Sequence, residues 1–140
     1  MTMQQRLTRW LQEEKGEGSI TFLYTFFLLL IFMYILLDLF GYGSTWLKMN
    51  AAANETLEIV KSENGFDQTT RASFMQFASA VGLDPSKITV TGTSKTVQRG
   101  TPVEVVATMP YEIKGIRPFG VTLTIPVKVK VTGLAHRYIR

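Results

Sequence analysis

The 140-residue chain has no cysteine and a single histidine. Without thiols it can form no disulfide, no cysteine metal site, no thiol nucleophile and no lipid-modified cysteine. Any folded part is therefore held by packing alone, and an exported domain of that kind leans bacterial. The lone His136 has no convergent set of Asp or Glu residues to complete a metal site. Glycine-rich phosphate loops, nucleotide fingerprints and a flanked serine nucleophile are missing as well. Glu104 and Glu112 would stand roughly 27 Å apart on an extended strand, too far for paired acid–base work. The chain reads as a non-enzyme, with no cofactor, no metal and no small-molecule substrate implied.

What it does have is an apolar run from Ile20 to Phe40, ITFLYTFFLLLIFMYILLDLF, with no charged residue before Asp38. As a helix this run is roughly 31 Å long, close to the hydrocarbon thickness of a bilayer. It is also longer than the core of about 7–15 residues expected of a cleaved secretory signal. Arg6, Arg9 and Lys15 precede the run, and only Lys48 lies within a comparable distance after it. Basic flanks favour the cytoplasmic side, so the expectation is a single-pass protein of the cell membrane. Residues 1–19 would form a cytoplasmic leader, 20–40 the membrane helix and 41–140 an extracytoplasmic part. Tyr42 and Trp46 suit the headgroup layer. Met3, Leu7, Trp10 and Leu11 recur at helical spacing beside Arg6 and Arg9, as in a short surface-lying amphipathic stretch or else a plain tail.

Within the run, Phe22, Tyr24, Phe26, Phe27, Phe32 and Tyr34 supply packing surface for partner helices, and lipid-facing aromatics would explain the same residues. Asp38 is the one carboxylate. At its shallow position it either reaches the interface or meets a partner helix.

The outer part, from Ser44 to Arg140, predicts an α+β fold. Trp46, Leu47, Ala51, Leu57 and Val60 form a loose apolar set that extends the membrane helix to about Lys61, with a bend expected near Gly41 and Gly43. Asn64 or Gly65 then supplies a left-handed cap. Asp67 can cap a second helix carrying Phe74, Phe77, Ala78 and Val81 at i, i+3, i+4, i+7. Gly82 ends that helix and Asp84-Pro85 turns the chain. From there the period drops to two. A first strand is expected over Lys87 to Thr93, and a second carries Val103, Val105, Ala107, Met109, Tyr111 and Ile113 on one face. A third carries Val121, Leu123, Ile125, Val127, Val129 and Val131. Pro110 and Pro126 each lack a ladder donor, so each should fall at a bulge or an unpaired edge position. The architecture is a long helix, a second helix and a small antiparallel sheet of about three strands.

This outer part holds 12 Lys and Arg against 7 Asp and Glu. Lys128 and Lys130 would share the wet face of the sheet with Glu104 and Glu112. A basic face can meet an anionic envelope ligand, although dispersed charges also describe an ordinary solvated surface. Nucleic acid is not an expected partner, because the aromatics lie on apolar faces or in the membrane run. Asn54-Glu55-Thr56 fits a glycosylation acceptor, a triplet that is common by chance.

The order of basic leader, Lys15-Gly16-Glu17-Gly18-Ser19, apolar helix, helical extension and antiparallel sheet resembles pilin-like proteins. It is most similar to the small TadE-like pseudopilins and related uncharacterised single-pass proteins of Gram-positive bacteria. The stretch from Thr96 through Pro102-Val103 to Gly133 adds to the likeness. The resemblance implies leader cleavage after Gly16 or Gly18, and it implies other membrane or pilin-like subunits as partners. The family expects glutamate at the fifth mature position, which here is Thr21 or Leu23. The function implied is a structural component of a pilus, conjugation or secretion apparatus. The alternative is a stand-alone anchored module that binds a cell-envelope ligand.

Overall fold

The computed structural model describes residues 2–137, without the side chains of residues 7, 8 and 10–17. Its first element, α1, is a single α-helix from Met3 to Glu63, 61 residues long. At 1.5 Å per residue it extends roughly 90 Å, about three times the hydrocarbon thickness of a bilayer. The expected bend is not accompanied by a break, since helix runs through both Gly41 and Gly43. The helix ends where Asn64 turns left-handed at φ 55° and the chain bonds back to the Val60 carbonyl. Of the two residues expected to cap, Asn64 takes the cap position; Gly65 follows it, also at positive φ.

The second helix, α2, spans Gln68–Ala80, and the Asp67 carboxylate accepts from the Thr70 N–H at its start. A short 3-10 turn, Pro85–Lys87, leads into strand β1 at Thr89–Gly92. Strands β2 (Pro102–Glu112) and β3 (Thr124–Leu134) form the long hairpin of an antiparallel sheet ordered β1-β2-β3. The chain thus has the α+β architecture that its two hydrophobic periods predict.

The sheet buries one face against α1 and α2. Val90, Val103, Val105, Ala107, Val127 and Val129 meet Phe74 and Ala78 of α2 and Met49, Ala52, Ala53, Leu57 and Val60 of α1 in one cluster. Small residues on α1 let the sheet approach the helix closely. The α1 set differs from the expected one. Leu57 and Val60 are buried, whereas Trp46, Leu47 and Ala51 are exposed. The core face is set by Met49, Ala52, Ala53, Thr56 and Val60, at i, i+3, i+4, i+7 and i+11.

The strands also begin and end differently from the alternation. Val121, Leu123 and Ile113 continue the period but lie outside β2 and β3, and β1 is shorter than Lys87 to Thr93. Ile88 and Val90 still point inward. Alternation marks which face a residue would take, but a strand also needs a partner opposite, and the loop between the strands turns aside first. Pro110 and Pro126 face each other in the β2–β3 ladder without a bulge. The Ile113 N–H donates to the Leu123 carbonyl, which makes odd-numbered β2 positions the hydrogen-bonded pairs. The two prolines therefore form a non-hydrogen-bonded pair, their nitrogens turned away from each other. Pro126 faces the free edge of β3, and Pro110 faces beyond the end of β1.

Candidate functional site

Two faces of α1 organise the molecule. At 100° per residue, Tyr34, Asp38, Gly41, Thr45, Met49, Thr56 and Val60 lie on one side and carry the sheet domain. Leu36, Phe40, Gly43 and Leu47 lie on the opposite side as an apolar stripe. Leu36, Phe40 and Leu47 are all exposed. With Met33, Leu37 and Trp46 the stripe lines a shallow apolar groove of about 800 Å³.

The junction between the helix and the sheet domain is built around Asp38. Its carboxylate accepts from the backbone N–H groups of Lys114 (2.8 Å) and Gly115 (2.7 Å) in the loop that follows β2. Two charge-assisted bonds to main chain hold that loop against the helix. Tyr111, at the end of β2, packs edge-on against Tyr42 with ring centroids 5.8 Å apart. Burial, together with the neighbouring Asp38 charge and its hydrogen bond, raises the pKa of the Tyr111 phenol. A Cβ at residue 41 would collide with the Tyr111 hydroxyl, so Gly41 is what lets the ring cross the helix. A Cβ at residue 115 would meet the Asp38 carboxylate at 2.7 Å. Asp38, which the apolar pattern left between the interface and a partner helix, thus has partners within its own chain.

At the far end of the sheet domain, Asn64 is fully buried. Its amide nitrogen donates to the carbonyls of Val97 and Arg137, and its Oδ1 accepts from the Arg137 N–H. One side chain thereby joins the helix end, the β1–β2 loop and the carboxy-terminal segment. Beside it, Lys95 bridges Glu63 (3.0 Å) and Asp67 (2.6 Å). Donation from Lys95, then from the Thr70 N–H and hydroxyl, holds the Asp67 carboxyl well below the usual range. An unfolded Asp titrates near 3.9. The contribution of Asp67 is therefore complete above about pH 4 and is lost as pH falls through its lower folded value. Asp67→Asn should be less stable than the parent at about pH 6, and this difference should shrink progressively below about pH 4. Urea unfolding across that pH range checks the expectation.

The remaining sequence-predicted residues are placed as follows. Phe22, Tyr24, Phe26, Phe27, Phe32 and Tyr34 are all exposed on or beside the helix surface, and Phe22 stacks on Phe26 at 6.3 Å. They are spread around α1, and only Phe27 and Tyr34 approach the loop after β2. Lys130 pairs with Glu104 at 2.8 Å, and Lys128 points outward two residues away. Glu112 pairs with Arg117 instead of a β3 lysine. Gly18 lies within α1 with open space around it. The amphipathic face of Leu7, Trp10 and Leu11 and the surroundings of Gly16 lie outside the described residues. His136 is exposed, and its N–H donates to the Lys61 carbonyl. Among the described residues, no group of three or more His, Asp or Glu side chains is placed to hold a metal ion.

Helix α1 is long and apolar enough to cross a membrane, and its apolar window is not buried inside the fold, as for a membrane anchor. A family model described as Domain of unknown function (DUF4320) matches residues 23–140, from early in the apolar run to the last residue. The chain belongs to this family. The DUF4320 match joins most of the apolar run to the whole sheet domain, the two parts that Asp38 links in space. No curated protein and no solved structure matches the chain.

The residues that sequence reasoning missed are Gly41, Tyr111, Lys114 and Gly115 at the junction, and Leu36, Phe40, Gly43 and Leu47 on the stripe. Residue pattern alone gives Gly41 as a bend and Tyr111 as an inward strand position. A helical wheel drawn through Asp38 would have separated the two faces. It could not have shown which loop meets the carboxylate.

Proposed function

We propose that this chain is a membrane-anchored, pseudopilin-like structural subunit of a bacterial pilus, conjugation or secretion apparatus. Its amino terminus is cytoplasmic and its sheet domain extracytoplasmic, in the cell membrane, with other membrane or pilin-like subunits as partners. The observation that carries the reading is the stripe of Leu36, Phe40, Gly43 and Leu47. The sheet domain occupies one side of α1, yet the opposite side stays apolar to Leu47, roughly 10 Å beyond Phe40. A simple lipid anchor gains nothing from apolar surface at that height, where the bilayer gives way to headgroups. A neighbouring helix would cover it, and Gly43 allows a close approach there.

Cysteine crosslinking in cells tests the proposal cleanly because the chain has no native thiol. Phe40→Cys and Leu47→Cys should form crosslinked species with a second copy or another subunit, whereas Gln98→Cys, far from the stripe, should not. Monomer at all three positions would refute assembly through this face. Mass spectrometry of the mature amino terminus adds a separate readout: cleavage after Gly16 or Gly18 supports the pilin-like route, and an intact Met1 supports a permanent anchor. The envelope-binding alternative has less support from the geometry, because Lys130 is occupied by Glu104.

A further inference from the structure

The loop between β2 and β3 exposes Phe119, Val121 and Leu123, an apolar surface that neither the core nor the helix stripe uses. This loop does not project away from the membrane. The β2–β3 hairpin runs down α1, from Lys61, which abuts Gly133, to Gly41, which lies under Tyr111. The loop continues past Asp38 to Tyr34, where Gly115 is held. Beyond that point Ile116, Pro118 and Phe119 line an apolar groove with Phe27 and Ile31 of α1. Those helix residues lie roughly 10–16 Å below Asp38 along the axis, well inside the apolar run.

We propose that the apolar tip of the β2–β3 loop is a second membrane-inserted element, immersed among lipid acyl chains beside α1. The proposal rests on the reading of α1 as a membrane anchor with the sheet domain outside. Irregular backbone is tolerated at membrane depth only where it is packed against protein or lines a watery cavity. The descending side of this loop, Ile113 to Phe119, lies against α1 and has most of its N–H groups bonded. Asp38 takes the Lys114 and Gly115 N–H groups. Those of Ile113, Arg117, Phe119 and Gly120 go to the carbonyls of Leu123, Lys114, Ile116 and Arg117. Pro118 has no N–H to satisfy. The cation at the tip turns back, with Arg117 Nε 3.6 Å from the Glu112 carboxylate, and its long stem allows the charge to rise toward the headgroups. A domain held by a helix and a dipping loop is restrained from tilting away from the membrane surface.

The test uses the full-length chain in phosphatidylcholine vesicles, with nitroxide labels on Phe119→Cys or Val121→Cys. Leu29→Cys in the apolar run and Gln98→Cys at the distal end serve as references. Collision with oxygen, which concentrates in lipid, is compared with collision with a water-soluble nickel chelate. Labels at 119 and 121 should match Leu29→Cys, rich in oxygen collision and poor in nickel, with Gln98→Cys the reverse. Nickel access at 119 and 121 while Leu29→Cys stays lipid-like would overturn the loop proposal and leave the anchor reading standing. Nickel access at Leu29→Cys would remove both. Shielding of 119 and 121 from both reagents would overturn lipid contact in favour of a protein neighbour.

Discussion

Phe74→Ala should destabilise the sheet domain by about 3–5 kcal/mol, the usual cost of truncating a fully buried phenylalanine. Phe74 is fully buried on α2, within the cluster that joins Val60 of α1 to Val90 and Val105 of the sheet. Removing the ring takes away apolar burial and leaves a cavity whose walls belong to three different elements. Backbone relaxation in one element cannot close such a cavity without disturbing the others. For a domain of this size the loss corresponds to a fall in Tm of roughly 15 °C or more. Circular dichroism melts of the detergent-solubilised chain would check it. A fall of only a few degrees would mean that α2 is not an integral part of the core.

Asn64→Asp should cost about 2–4 kcal/mol although it changes one atom of the side chain. Aspartate tolerates the left-handed conformation nearly as well as asparagine, so the backbone at φ 55° is not the source of the loss. The source is the reversal of polarity at the buried amide. Where Nδ2 donates to the Val97 and Arg137 carbonyls, a carboxylate would set an acceptor against two acceptors. Only the bond from the Arg137 N–H would survive. Asn64→Gly keeps the turn and loses all three side-chain bonds, at a smaller expected cost of about 1–3 kcal/mol. The order Asn, then Gly, then Asp in Tm is the diagnostic result. If Asp and Asn melted together, Asn64 would be acting as a turn residue only.

These two positions show different degrees of legibility. Phe74 could be read directly, because Phe74 and Ala78 follow the helical period that Asp67 opens, and both are buried. Asn64 was half legible. Its place after a long helix and before Gly65 predicts a left-handed cap, which it is. Its bonds to residues 33 and 73 positions away leave no trace in local pattern. The same division separates the faces of α1. Leu57 and Val60 fall in one loose apolar set with Trp46 and Leu47, since all four are apolar and the run is apolar nearly throughout. A helix with little polar contrast does not say which side is inner; only the sheet packing against Met49, Ala52 and Ala53 chooses it.

The primary structure on its own determined the long apolar helix, the switch from period 3.6 to period 2, the α+β class and the absence of thiol chemistry. Each of these follows from residue type and spacing along a few consecutive turns or strand pairs. The tertiary structure alone decided that Asp38 is joined to its own chain, that Gly41 makes room for Tyr111, and that the loop after β2 lies beside the apolar run. Those outcomes depend on which of several similar surfaces meet across 70 or more residues. Hydrophobic patterning is non-directional and does not encode such pairings; the Asp38 carboxylate is directional, but which amide donors reach it is set only once the sheet packs on α1.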